Sequence, residues 1–321
     1  MAKKKSRVVI LLEFVPLLLI YCFLRMLSLR AAYLVSRQMV LLFFRMDGRH
    51  RRWTISHLLH AGMASDPKEA ASMARRIFIN FSMTIVEICK IDQLLQIDKI
   101  RVTGNEETIR QVGPGTKRNV IIVTAHYGNW ELAGSAWSAL TGIPILSVMR
   151  KFDNPLVGRY IVHQRESSTH HCVNKDGSIK AMLKALHGGK HIAILADQHA
   201  NHKEGVENVF FGQPCRTHTS PALLHLKTGV PIMPAITRRI GNDFRFEIVL
   251  GNLIRYQPTE DKAADILALT QQITTELEQL IRKDPEQWMW AHRRWLNINR
   301  RHVRYSKSGA PLPAADSAKD Q

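Results

Sequence analysis

From about residue 119 onward, short apolar runs alternate with longer amphipathic stretches. Residues 119–125 are uncharged and largely β-branched, the composition of a buried strand. Residues 143–149, 191–196 and 229–236 read the same way, and residues 244–250 alternate as an antiparallel edge strand does. Helical patterns separate them. One begins at Trp130, one covers 177–186 and closes at Gly188-Gly189, one covers 220–227 with Pro221 at its first position, and one covers 259–283. Upstream, Asp66-Pro67 starts a helix predicted to reach about residue 95, with Ala70, Ala74, Ile77, Phe81, Ile85 and Ile88 on its apolar face. This β-α-β-α order predicts an α/β fold with a mostly parallel central sheet flanked by helices. No internal repeat is visible. Residues 306–321, polar and rich in Ala and Pro, read as a disordered tail.

The N-terminal pattern is different. Three lysines and one arginine precede residues 8–24, which are apolar apart from Glu13 and lie at the short end of the roughly 17–25 residues that span a bilayer. No small-residue cleavage site follows, and Tyr21 is too bulky for lipoprotein processing at Cys22. Residues 27–46 are apolar but punctuated by Arg30, Arg37 and Arg45, which suits a helix in the headgroup region. Arg25, Arg30, Arg37, Arg45, Arg49, Arg51 and Arg52 outnumber the basic residues before the apolar run, so the positive-inside rule puts the folded domain in the cytoplasm. The expected division is a membrane anchor with an interfacial helix at 1–47, a catalytic domain at 48–305 and the tail at 306–321.

Composition narrows the partners. Lys and Arg number 45 against 27 Asp and Glu, a net charge of +18, which favours an anionic partner. No helix-turn-helix, RNA-recognition or zinc-finger pattern occurs, and the charge follows the membrane-facing N-terminus, so nucleic acid is not expected. The four cysteines show no CxxC or metal spacing and read as reduced thiols.

Candidate chemistry sits in His126-Tyr-Gly-Asn-Trp-Glu131, where a strand ends and a helix begins. On one continuous helix the two side chains would diverge by about 140°. They meet only if His126 lies in the turn and Glu131 in the first helical turn. Such a pair is a general base with a carboxylate that fixes its tautomer; the alternative is a loop histidine beside a helix-capping glutamate. Tyr127, Gly128 and Asn129 would shape the turn and place backbone N–H groups near developing charge. Arg150, Lys151 and Asn154 follow the next strand, and Arg159 and Arg165 lie on the helix after it. They are candidates for phosphate or sugar binding, against the alternative of a solvated basic face. Asp197-Gln198 ends the third strand, either tying the following loop or touching the acceptor. Asp197, His199 and His202 lack a fourth ligand at sensible spacing, so no metal is expected. Trp288, Trp290, His292, Arg293, Arg294 and Trp295 form an aromatic–basic cluster, with the tryptophans expected to pack and the arginines to meet headgroups.

Five blocks in fixed order carry a resemblance: the 126–131 block, Arg150-Lys-Phe-Asp-Asn-Pro155, Ala196-Asp-Gln198, Val209-Phe-Phe-Gly212, and Pro285-Glu-Gln-Trp-Met-Trp-Ala-His-Arg-Arg-Trp295. Together they resemble the lipid A biosynthesis (late) acyltransferases, within the lysophospholipid acyltransferase superfamily that shares the H-x4-[DE] signature. The resemblance runs from about Glu13 to Trp295. Ser56-His-Leu-Leu-His60 departs from the family's usual pattern in that region, and the segment after Gln198 is unusually rich in His and Glu.

The resemblance implies an inner-membrane enzyme with its catalytic domain facing the cytoplasm. It implies fatty acyl transfer from an acyl carrier protein thioester to a hydroxyl of an anionic glycolipid, a lipid A precursor. His126 would be the base and Glu131 its partner, with no covalent enzyme intermediate, no metal and no cofactor. Arg150, Lys151, Asn154, Arg159, Arg165, Asp197, Gln198, His292 and Arg293 would bind substrate. The alternative is an acyltransferase of the same superfamily acting on a phospholipid or another glycolipid with acyl-CoA as donor.

Overall fold

The computed structural model describes residues 5–166, 169–175 and 177–295. The expected tail at 306–321 lies outside the described residues. Four helices come first: α1 (Arg7–Met26), α2 (Leu29–Met46), α3 (Gly48–His60) and α4 (Pro67–Leu94). Ser6, Ser28, Asp47 and Asp66 cap them, each side-chain oxygen accepting backbone N–H groups of the first turn.

The α/β part follows as β1 (Ile100–Gly104), α5 (Glu106–Val112), β2 (Ile121–Thr124), α6 (Trp130–Thr141), β3 (Ile145–Met149), α7 (Pro155–Arg165), β4 (His170–Asn174), α8 (Ser178–His187) and β5 (His191–Leu195). Then come β6 (Gly205–Phe210), β7 (Gln213–His218), α9 (Ser220–Thr228), β8 (Ile232–Ile240), β9 (Arg245–Leu250) and α10 (Lys262–Arg282). Seven strands form one sheet in the order β1-β9-β8-β2-β5-β3-β4, and β6 and β7 form a separate antiparallel hairpin. β8, β2, β5, β3 and β4 are parallel, and β9 pairs antiparallel with β8. The fold is therefore α/β with a mostly parallel sheet flanked by helices. The uncharged, β-branched character of β2 has its reason here: it is a central strand, every residue of which is buried.

Two expectations change. β9 is antiparallel as expected but not an edge, because β1 adds outside it in parallel. The apolar face of α4 holds for Ala70, Ala74 and Ile77, but Phe81 and Ile88 are only half-buried and Ile85 is 39 % exposed. In its second half the buried positions include Ser82, Thr84, Val86, Glu87 and Cys89, because polar partners from α2 and from the turn after β2 meet it there. α2 is held to α4 by more than apolar contact. The Tyr33 hydroxyl donates to Glu87 at 2.9 Å and the Ser36 hydroxyl to the Ser82 carbonyl at 3.0 Å. The outward residues Leu34, Met39, Leu42 and Phe43 of α2 stay exposed, and α1 is long and apolar enough to cross a membrane by length and composition.

Candidate active site

Register between two adjacent parallel strands assembles the centre. Thr124 of β2 is level with Leu195 of β5, so the residues two places beyond, His126 and Asp197, emerge side by side at the carboxyl edge. His126 Nδ1 lies 2.8 Å from Asp197 Oδ1, and the His126 backbone N–H donates to Asp197 Oδ2 at 2.8 Å. Trp288 Nε1–H donates to the same Oδ2 at 2.8 Å, and His292 Nε2 stands 3.5 Å from it. Asp197 is wholly buried. Burial alone would raise its pKa, but the His126 and His292 rings more than offset this and hold it well below the ordinary carboxylate range. An ionised Asp197 only accepts, so Nδ1 of His126 carries the proton and Nε2 keeps its lone pair. Burial pulls the His126 imidazolium down, but Asp197, with Glu131 behind it, leaves the ring more basic than an ordinary histidine. Gln198 Nε2 is 3.4 Å from His126 Nε2, on the accessible side of the ring.

The carboxylate that orients His126 is thus Asp197 rather than Glu131. Glu131 does lie in the first turn of α6, but Arg165 claims it, with Nε 2.6 Å from Oε2 and Nη2 on Oε1, and Trp130 Nε1 donates to Oε1 at 2.9 Å. Its influence on His126 is through charge alone. The sequence signal for Asp197 existed: each strand is followed by Ala and then a polar residue, Ala125-His126 and Ala196-Asp197. Pairing them required knowing that β2 and β5 are neighbours.

The turn between them is built tightly. Gly128 has φ +53°, and a Cβ there would fall 2.0 Å from the Thr237 carbonyl oxygen of β8, so no side chain fits. The N–H groups of Tyr127, Gly128 and Asn129 donate to the carbonyls of Ala125, Gln287 and Thr237. They hold the turn rather than face developing charge. Beneath it, Asn129 donates to Glu87 at 3.1 Å, Thr84 donates to the Gly128 carbonyl at 2.8 Å, and Arg239 forms a buried, two-pronged ion pair with Glu87.

The other expected substrate residues divide into exposed and committed groups. Arg150, Lys151 and Arg159 are exposed at or beyond the end of β3. Asn154 is buried and committed: it caps α7 and donates to α1 at Ile10 and Glu13. Arg165 is bound to Glu131. His292 packs against Asp197, and Arg293 is exposed, its guanidinium 5.6 Å from the Trp53 ring centre. Arg294 departs from the headgroup role. It is 1 % exposed and donates to the Gln198 carbonyl at 2.8 Å and the Thr217 hydroxyl at 2.6 Å, clamping the loop after β5 to the hairpin. Trp288, Trp290 and Trp295 are buried with Phe210 and Phe211 in one cluster. Among the described residues no group of three His, Cys, Asp or Glu side chains is arranged to hold a metal ion.

A narrow cavity of about 60 Å³ opens beside this centre, between α6 and the sheet. Ile122, Trp137, Ile145, Ala193, Met233 and Ile248 give it a mainly apolar wall, and Trp130, Glu131, Arg165, Thr124, Ser147, His170 and Thr237 add polar groups. The Trp130 ring centre is 5.3 Å from that of His126. A base beside an apolar slot can deprotonate a hydroxyl next to a bound aliphatic chain.

The sequence profile described as "Bacterial lipid A biosynthesis acyltransferase" matches residues 17–297. Over 180 residues the chain is 23% identical to the phosphatidylinositol mannoside acyltransferase of Mycobacterium tuberculosis H37Rv, covering 55% of this chain and 54% of that protein. It is 25% identical over 190 residues to the lipid A biosynthesis lauroyltransferase of Escherichia coli K12, covering 59% of this chain and 60% of that one. With the lipid A biosynthesis acyltransferase of Haemophilus influenzae Rd it shares 25% identity over 201 residues, 61% of this chain and 62% of that one. The chain spans less than two thirds of the length of each of these relatives.

Proposed function

Because the chain belongs to the bacterial lipid A biosynthesis acyltransferase family, we propose that it moves a fatty acyl group from an acyl carrier protein thioester to a hydroxyl of a lipid A precursor. The observation that carries this reading is the His126–Asp197 pair, which leaves the lone pair on Nε2, the accessible side of the ring, beside the apolar slot. The acceptor O–H gives its proton to His126 Nε2 as the oxygen attacks the thioester carbonyl carbon. Asp197 holds the ring tautomer and stabilises the imidazolium so formed. Negative charge builds on the former carbonyl oxygen, near the positive N-terminal end of α6. The C–S bond then breaks, and the thiolate takes the proton back from His126. The sequence needs no enzyme nucleophile.

The apolar slot takes the acyl chain. The exposed Arg150, Lys151 and Arg159 on the same edge take the phosphates of the anionic acceptor. The exposed apolar faces of α1 and α2 and the arginines beside them support attachment to a membrane, which in this reading is the cytoplasmic face of the inner membrane. Similarity to phosphatidylinositol mannoside acyltransferases supports a second acceptor class, a glycosylated phospholipid, with the same chemistry at His126.

The test is a thioester-donor assay in detergent micelles with a tetra-acylated lipid A precursor, read by mass spectrometry for the parent and His126→Ala. One added acyl chain that disappears in the variant is the expected result. Transfer at full rate by His126→Ala removes the mechanism. Transfer by the parent to a mannosylated phosphatidylinositol but not to the lipid A precursor moves the acceptor to the second class.

A further inference from the structure

α1 has the length and composition of a membrane span, yet the domain grips it at both ends. Near its start, Asn154 Nδ2 donates to the Ile10 carbonyl at 2.9 Å and to the Glu13 carboxylate at 3.1 Å. Near its end, Arg25 donates to both carboxylate oxygens of Asp92 at 2.5 and 3.0 Å and to the Cys89 carbonyl at 2.9 Å. Lys90 donates to the carbonyls of Arg25 and Leu27 at 3.0 and 2.7 Å, closing the end of the helix. Between these tethers the Tyr21 and Tyr160 rings meet at 5.0 Å, and Leu24 is 2 % exposed.

These contacts run from residue 10 to residue 25, roughly 22 Å of helix at about 1.5 Å per residue. The hydrocarbon core of a bilayer is about 30 Å thick. A helix fastened along most of that distance cannot cross the core without taking the side of the domain with it. The segment that grips α1 carries Lys151, Asp153 and Arg159, all exposed, and hydrocarbon does not solvate such charges. The opposite face of α1 is wholly apolar: Val8, Leu12, Val15, Leu19 and Phe23, at helical spacing, are each 45 % exposed or more.

We propose that α1 does not span the membrane but lies in the plane of one leaflet, its grip face on the domain and its apolar face among acyl chains. The surface it fits is an anionic phospholipid leaflet. Exposed Leu34, Leu42 and Phe43 of α2 add to the apolar contact, and exposed Arg30, Arg37 and Arg45 meet anionic headgroups. The N-terminus and the catalytic domain then share one side of the membrane. Asn154, which holds α1, also follows the carboxyl end of β3, on the edge that carries His126. A lipid hydroxyl can therefore approach His126 from the leaflet without leaving it.

The placement is independent of which acceptor is used, and its test reads no activity. In protein with Cys22→Ser and Cys172→Ser, which leaves only the buried Cys89 and Cys215, one accessible cysteine at a time is added by Arg7→Cys at the start of α1 or by Glu260→Cys on the domain. A membrane-impermeant maleimide is then applied to sealed vesicles of each orientation. Both positions should label from the same side; labelling from opposite sides overturns the proposal. Spin labels at Val8, Leu12, Val15 and Leu19, one at a time, give depth from oxygen accessibility. Equal depth along the row is expected. A passage through the mid-bilayer, as in a spanning or hairpin segment, overturns the proposal even if sidedness agrees.

Discussion

At the residue scale, two carboxylates influence one imidazole by different routes. Asp197 touches His126 Nδ1, whereas Glu131 reaches it only through charge and is itself neutralised by Arg165. Removing either negative charge lowers the His126 pKa, so the acid limb of kcat/KM moves to lower pH in both variants. Asp197→Asn should show the larger move and lose on the order of 10²-fold or more in kcat, because the ring also loses its orienting bond. Glu131→Gln should shift the limb less. Paired pH–rate profiles decide this, and equal effects in the two variants would contradict the assignment. The spacing of His126 and Glu131 was legible in the sequence; the partner of the base was not, since it lies 71 residues away.

At the element scale, the turn after β2 rests on α4 and β8. Glu87 and Arg239 are buried, at 0 % and 5 % exposure, and join those two elements directly under Gly128 and Asn129. Glu87→Ala strands a buried guanidinium and should cost about 3–5 kcal/mol in a denaturant titration. Gly128→Ala should displace the turn from β8 and abolish transfer, because its Cβ has no room and its φ disfavours a side chain. The slot between α6 and the sheet gives a selective prediction. Ala193→Leu narrows it, so the ratio of long- to short-chain transfer in mixed-thioester competition should fall while short-chain transfer persists. Amphipathic period and caps made the long helices legible. The short strand β4 and the β6–β7 hairpin were missed, because half-buried polar residues such as His171 and Arg216 and exposed ones such as Asn174 and Glu207 hide a strand pattern.

For the whole molecule, burial of neutral histidines shapes the response to acid. Burial pulls His57, His170 and His191 down to about 4 from an ordinary value of 6.5. Between those values the unfolded chain binds protons that the folded chain refuses, so stability falls as pH drops through this window. Each group contributes roughly 1.4 kcal/mol per pH unit there. Melting temperature should therefore decline from about pH 6 downward, above the range where carboxylates titrate. His191→Gln should flatten that decline; an unchanged slope would locate the sensitivity elsewhere.

The sequence by itself determined what local chemistry can determine. Apolar period marked the strands, the central helices and the apolar N-terminal helix, and ordered blocks identified the family, because those signals reside in consecutive residues. Tertiary structure alone decided which strands are neighbours, and with that the pairing of His126 with Asp197, the diversion of Glu131 to Arg165, and the use of Asn154 as a tether for α1. Each of these depends on strand register and on the packing of elements far apart in the chain. A side chain's partner is set by what the fold brings within about 3 Å, and no run of adjacent residues encodes that.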